Sequence, residues 1–512
     1  MLSIINSFGL TGLKGYLINV EVDINRGLPG YDVVGLADTA IKESRQRVTS
    51  AIKNQGFLFP IEKLIINLAP ADTKKEGSFY DLPISIGILS ATSQITMPKS
   101  LLNEFSFIGE LSLDGSLRKI NGLLPMLITA RNLGIKKIVV PFENAQEASF
   151  IEGLEVFPAK NLKDVVLFLN GELNIKPVEV VSFSTIKSNL CSTKDFSQVK
   201  GQASAKRALE ISAAGGHNVL MIGPPGSGKT MLARAFPTIL PDLTFEEALE
   251  STKIHSVAGI LDSKKGFISE RPFRAPHHTS TTVALTGGGN KAKPGEVSLA
   301  HNGVLFLDEM PEYSRSSIEA LRQSLEDGSI IISRNSQTIE YPSNFILVAS
   351  MNPCPCGNYG SVSKPCKCSP NQIAKYLGKI SGPIMDRIDL YIEVDGVDYE
   401  DMHSSIKEET SAQIKLRVDS ARKIQTERYS GSGIYSNSKM DNEHINKYCK
   451  LSEQCEHLLK LAFENLKLSA RAYNKILKVA RTIADLDGQE EILPEHISEA
   501  ISYRSLDEKY WI

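Results

Sequence analysis

The stretch Gly223-Pro224-Pro225-Gly226-Ser227-Gly228-Lys229-Thr230 decides the fold. It matches G-x-x-x-x-G-K-[ST], the phosphate-binding loop, and it has the flanks this pattern requires. The apolar run NVLMI precedes it and the helix-compatible run MLARAF follows. Its glycines let successive backbone amides turn toward phosphate oxygens, and a helix N-terminus adds positive potential. Lys229 is placed to neutralise the β and γ oxygens of ATP, and Thr230 to ligate Mg²⁺. All eight residues form the expected nucleotide cradle.

The second half of a phosphate machine follows in GVLFLDE, residues 303–309. A short apolar strand there delivers two carboxylates to its C-terminal end, where open α/β sheets bind ligands. Asp308 is expected in the Mg²⁺ shell and Glu309 as the base that polarises the attacking water. Three further positions suit an ATPase that works between subunits. Asn352 ends the run FILVASMN and is placed to orient that water. Arg387, in SGPIMDRID, is placed to reach a neighbour's γ-phosphate. Arg471, in LSARAYNKIL, is placed to report nucleotide state. A capping asparagine or a surface ion pair is the alternative reading of each.

Outward from this centre the chain divides into parts. The apolar runs 218–222, 304–307, 345–349 and 388–394 have the character of parallel strands buried on both faces. Helical patterns lie between them, giving an α/β class for residues 195–399. From 400 to 512 the chain turns helical, at 402–428, 444–449, 452–466, 470–486 and 494–503. A Ser/Gly stretch at 430–438 is expected to be a mobile loop. Residues 1–175 alternate strand-like runs (15–22, 64–68, 137–140) with helical ones (38–53, 124–133). The Ser-rich segment 176–194 has no helical period and is expected to be a linker.

The 512 residues are too many for one core. Apolar content of 42%, charge of 23% and a net charge of −2 are those of a globular protein whose nucleic-acid contacts, if any, are local. No apolar run approaches the roughly 18–20 residues of a membrane span, and the N-terminus lacks a basic region ahead of an apolar one. A cytoplasmic protein without membrane contact is expected. Of the seven cysteines, Cys354, Cys356, Cys366 and Cys368 cluster. Four soft ligands in one short segment have the form of a Zn²⁺ site rather than of a disulfide framework. Around them, residues 353–385 hold four lysines and no acid, with Tyr359 and Tyr376 as stacking surfaces. Residues 253–293 hold seven Lys/Arg against two acids, and 328–341 pattern as a hairpin with Arg334 near its tip. Lys42, Arg45, Arg47, Lys74 and Lys75 form another basic group. Each of these is a DNA contact or a solvated face.

The runs GQASAKRALEISAAGGHNVLMIGPPGSGKT, RPFRAPHHTSTT, GEVSLAHNGVLFLDEMPE, MNPCPCGNYG and SGPIMDRIDL closely resemble the bacterial YifB/ComM family, which are Mg-chelatase-like AAA+ ATPases. The resemblance covers nearly the whole chain. It implies an AAA+ core, a C-terminal helical lid, and a ring, a hexamer. It matches Asn352 to sensor 1, Arg387 to the arginine finger and Arg471 to sensor 2. It implies a helicase that drives branch migration on single-stranded or branched DNA alongside recombination proteins, with a chelatase-type or chaperone-like remodeller of proteins as the alternative. The N-terminal domain, residues 1–175, resembles the proteolytic domain of Lon, an α+β fold like that of ribosomal protein S5, most clearly over 109–144. The Lon nucleophile position falls near Asp81 and its lysine position at Leu124. Neither residue can serve, so no peptidase activity is expected.

Overall fold

A computed structural model describes residues 1–183, 194–289, 292–334, 337–360, 364–396, 408–466, 468–506 and 510. Two compact units emerge, Met1–Asn189 with Phe245–Ser269, and Leu190–Thr244 with Glu270–Ile512. The helix Phe245–Ala258, from the middle of the segment 195–399, thus belongs to the N-terminal unit.

The N-terminal unit is built on a seven-stranded mixed sheet. Its strands are β1 (Leu2–Thr11), β2 (Lys14–Asn25), β3 (Gly30–Val34), β4 (Lys63–Ala69), β5 (Phe105–Phe107), β6 (Lys137–Pro141) and β7 (Glu155–Ala159). They lie in the order β3-β4-β2-β1-β5-β6-β7. β1 and β2 form a hairpin closed by Gly12-Leu13, and Gly12 takes φ +58°, the left-handed value that a tight hairpin turn needs at its first position. The helix Asp81–Ala91 is buried on almost every side, which its continuous apolar sequence requires.

The second unit carries five parallel strands: β8 (Val219–Ile222), β9 (Phe273–Arg274), β10 (Val304–Leu307), β13 (Ile346–Met351) and β14 (Leu390–Glu393). A two-stranded hairpin, β11 (Ser329–Arg334) and β12 (Gln337–Pro342), separates β10 from β13 in sequence. The sheet order is β9-β10-β13-β8-β14, all pairs parallel. Alternate residues feed two cores. Val219, Met221, Val304, Phe306, Val348 and Leu390 face the helices Ala203–Gly215, Ser411–Arg428 and Ala470–Leu486. Leu220, Ile222, Leu305, Leu307, Leu347 and Tyr391 face Arg315–Asp327 and Pro370–Leu377. A sheet covered on both faces explains the continuous apolar runs.

Several expectations are corrected. The Ser/Gly stretch 430–438 does not remain open, because it delivers Asn437 into the helical core. Asn437 is fully buried there, bonded to Tyr429, Thr482 and Asp485. Such an amide is stable in a core because every polar atom finds a partner. Arg47 and Lys75 are not part of a basic surface. Arg47 pairs with buried Asp81, and Lys75 is 0% exposed, with its ammonium on the Pro70 carbonyl. Nor is 253–293 one basic insert. Lys253, Lys264 and Lys265 belong to the N-terminal unit, while Arg271 and Arg274 are engaged by the Pro241 and Asn302 carbonyls and by Glu296. The tip of the 328–341 hairpin, including the Arg334 side chain, lies outside the described residues, as do 184–193 of the expected linker and 402–407 of the first C-terminal helix. No helix among the described residues is long and apolar enough to cross a membrane.

Candidate nucleotide site

The C-terminal ends of β8, β10 and β13 meet at one edge of the five-stranded sheet, which places Lys229, Thr230, Asp308, Glu309 and Asn352 there. The loop after β8 turns through Gly226 (φ +82°) and Gly228 (φ +91°). Gly223 admits no side chain, because a Cβ would lie 2.1 Å from the Val394 carbonyl oxygen. Lys229 is buried, and its ammonium donates to the carbonyls of Gly223 and Pro224 at 2.7 Å each. Burial lowers its pKa to about 8, against the opposing pull of Asp308 and Glu309. A polyanion would restore the charged form.

β13 lies between β8 and β10, so the P-loop and the acidic strand are not adjacent. Side chains span the gap. The Thr230 hydroxyl donates to Asp308 at 3.0 Å. Ser350, on β13, donates to the other Asp308 oxygen at 2.5 Å and accepts the Glu309 amide at 3.2 Å. Two oxygens about 3 Å apart suit neighbouring vertices of a Mg²⁺ octahedron with ligands at about 2.1 Å, so Thr230 and Asp308 fit that ion. Glu309 stands in the left-handed region at φ +52°, an uncommon conformation for a side-chain-bearing residue. That turn comes two residues after the strand ends at Leu307. Ser350 escaped the sequence reading. Its signal is a single hydroxyl one residue before the end of an otherwise apolar strand.

Arg387 and Arg471 are not brought to this edge. They line a cleft of about 430 Å³ beside Asn218, which opens β8 at the opposite end of the sheet. Arg387 donates to Glu326, and Arg471 to Asp386 at 3.0 Å. Asn218 donates to the Arg387 carbonyl at 2.8 Å and accepts the Leu347 amide of β13 at 2.8 Å. Nearby Asp389 is held ionised. Burial opposes its charge, but Lys475 and His217 outweigh that and keep the carboxyl well below the usual range.

The four cysteine sulfurs beyond Asn352 converge. Their Sγ atoms all lie within 4.8 Å of one another, with Cys354–Cys356 at 3.4 Å, Cys356–Cys366 at 3.6 Å and Cys354–Cys366 at 3.7 Å. A tetrahedron of thiolates at about 2.3 Å from Zn²⁺ has edges of about 3.8 Å, so the set fits.

In the N-terminal unit, Asp81 opens its helix and is 1% exposed. Arg47 grips it with two bonds, at 2.7 and 3.1 Å, and the Leu111 amide adds a third. Burial still raises its pKa to about 6. Leu124 is wholly buried, and its amide donates to the buried carboxylate of Glu147 at 3.0 Å. Ser78 donates to Glu110, and Lys74 to Glu76 at 2.6 Å.

Comparison with known proteins agrees with this architecture. Residues 195–402 match a family model described as magnesium chelatase, subunit ChlI. Residues 20–144 match one for subunit ChlI of Mg-chelatase, and 408–504 one for the C-terminal part of that subunit. The chain is 43% identical to competence protein ComM of Haemophilus influenzae over 509 residues, 99% of this chain and 98% of that one. It is 44% identical to the uncharacterized protein YifB of Escherichia coli over 510 residues, 99% and 97% of the two chains. The chain belongs to the YifB/ComM family of Mg-chelatase-like proteins. A Lon protease of Leptospira interrogans is 26% identical over 216 residues, 41% of this chain and 25% of its own. Membership in the YifB/ComM family fixes an α/β AAA+ ATPase fold with a Lon-like α+β domain before it and a helical C-terminal region after it. ATP and Mg²⁺ are the cofactors that go with that family.

Proposed function

We propose that this protein is an ATP-driven ring motor on DNA, a helicase that promotes branch migration in recombination and DNA uptake. The observation that carries the reading is the end-to-end likeness to competence protein ComM. Its parts are an inactive Lon-like domain over 1–175, a linker over 176–194, an AAA+ core over 195–399 and a helical lid over 400–512. The loop Gly223–Thr230 holds the triphosphate, with Lys229 against its terminal oxygens, and Thr230 and Asp308 hold Mg²⁺, which stabilises charge on the transferred phosphoryl group. Glu309 takes the proton of the attacking water and Asn352 orients it. Arg387 and Arg471 sit at the far edge of the sheet from their own P-loop. From there they serve the nucleotide of the next copy in a closed ring of six. Zn²⁺ at the four thiolates is a third cofactor, and the hairpin at 328–341 grips DNA in the central channel. Peptidase activity is absent, because Asp81 and Leu124 stand where a nucleophile and a base would be needed.

A second reading has its own support, since three chelatase-subunit models match the chain. On that reading the motor remodels a protein partner. Steady-state ATPase measured with forked DNA, with unfolded casein and with neither separates the two. The DNA reading expects stimulation by forked DNA that fades steeply as salt rises. Stimulation by unfolded protein alone would overturn it.

A further inference from the structure

The cysteine loop is built against the nucleotide site. Cys354-Pro355-Cys356-Gly357 is a tight turn, closed by the Gly357 amide on the Cys354 carbonyl at 2.9 Å. Gly357 takes φ +76°, and a Cβ there would stand 2.6 Å from Cδ of Pro225. The turn therefore presses its bare backbone on the second proline of the P-loop. At one end the loop issues from Asn352. At the other, Cys368 is followed by Ser369, which caps the helix Pro370–Leu377 through a reciprocal capping box with Gln372. Tyr376, in the last turn of that helix, is buried with its hydroxyl bonded to the Asn352 backbone. The two ends of the cysteine loop thus meet, Asn352 at one and the helix that follows Cys368 at the other.

The four thiols lie between these two ends in sequence and converge in space. Backbone amides of Lys367 and Asn358 are bonded to Cys356, and the Cys368 amide donates to the Cys366 sulfur at 3.4 Å. Such N–H donors offset the negative charge of a four-thiolate site and hold its ligands in place.

We propose that one Zn²⁺ bound by Cys354, Cys356, Cys366 and Cys368 fixes the turn on which Pro225 and Asn352 are seated, so that nucleotide binding depends on a metal remote from the phosphates. This rests on the ATPase reading above. Four Zn–S bonds form as the thiols release their protons to solvent, and the zinc keeps its oxidation state. The cysteines and Gly357 are positioning residues. They act through Pro225 and Asn352.

The test uses the full-length protein, purified without chelator, with three readouts: zinc per chain, affinity for a fluorescent ADP analogue, and kcat and KM for ATP. About one zinc per chain is expected. Cys366→Ser is expected to lose zinc and weaken nucleotide binding by about tenfold. Gly357→Ala is expected to keep its zinc yet weaken nucleotide binding to a similar degree, since its Cβ displaces Pro225 directly. If Cys366→Ser fails to fold, zinc is stripped from the folded parent with a mercurial and a chelator and then returned, and affinity is expected to fall and recover. A parent with well under one zinc overturns the metal site. Zinc loss without change in nucleotide affinity overturns the coupling. A parent that loads zinc but neither binds nor hydrolyses ATP instead removes the ATPase reading on which the proposal stands.

Discussion

Two carboxylates, one in each unit, are made from the same ingredients and put to opposite uses. Asp81 starts a helix with a cation nearby, and Asp308 follows a strand beside the first turn of the P-loop helix, also with a cation nearby. Asp81 is closed in. Arg47 grips both of its oxygens, and the Leu111 amide completes the set. Asp308 is bonded by two hydroxyls, Thr230 on one oxygen and Ser350 on the other, while Lys229 turns to the loop's own carbonyls. A carboxylate whose partners all belong to the fold is structural. One bonded to a hydroxyl that can itself ligate a cation is suited to an ion. Glu147, buried among the Leu124 amide, Asn144 and Ser256, repeats the closed pattern where a Lon-type lysine would be expected to work.

The largest effect that tests this contrast belongs to the open site. Glu309→Gln is expected to lower ATP turnover by about 10²–10⁴-fold while nucleotide still binds. Turnover at the parental rate would end the comparison. Next comes the closed site. Arg47→Ala leaves the Asp81 charge buried and unmatched, and urea unfolding is expected to show a loss of about 3 kcal/mol with nucleotide affinity unchanged. A loss that appears in affinity rather than stability would make Asp81 a working group. Smaller again, Ser350→Ala removes one of two anchors of Asp308 and is expected to raise the Mg²⁺ concentration for half-maximal activity by about tenfold. The smallest effect is a fraction of a proton. With its pKa lowered to about 8, Lys229 is largely neutral at about pH 8.5 and charged at about pH 6.5. Triphosphate favours the cation, so binding should take up protons at the higher pH and none at the lower. Calorimetry in buffers of different ionisation enthalpy reads this directly.

What the sequence revealed and what it hid have separate physical causes. The strands of the second unit were legible because burial on both faces demands unbroken apolar runs, and the P-loop because phosphate binding demands glycine at fixed positions. The place of β13 between β8 and β10 was not legible, since neighbours in a parallel sheet are set by crossovers rather than by local pattern. That is why Ser350 was missed. Charges were misjudged in a consistent way. Arg47 and Lys75 looked like solvated surface because a buried cation is rare, and nothing local to them announces Asp81 or the Pro70 carbonyl. Asn437 was hidden by its Ser/Gly neighbours, whose composition speaks of chain flexibility and not of the hydrogen bonds that cancel it.

Asn218 has a mechanical consequence. Its amide grips the backbone beside Arg387 with one hand and the first turn of β13 with the other, and β13 runs straight on to Asn352. In the ring proposed above, an arginine pulled by a neighbouring copy would tug β13, whose far end leads to Asn352. Loosening that grip would leave both ends intact and silence the conversation between them.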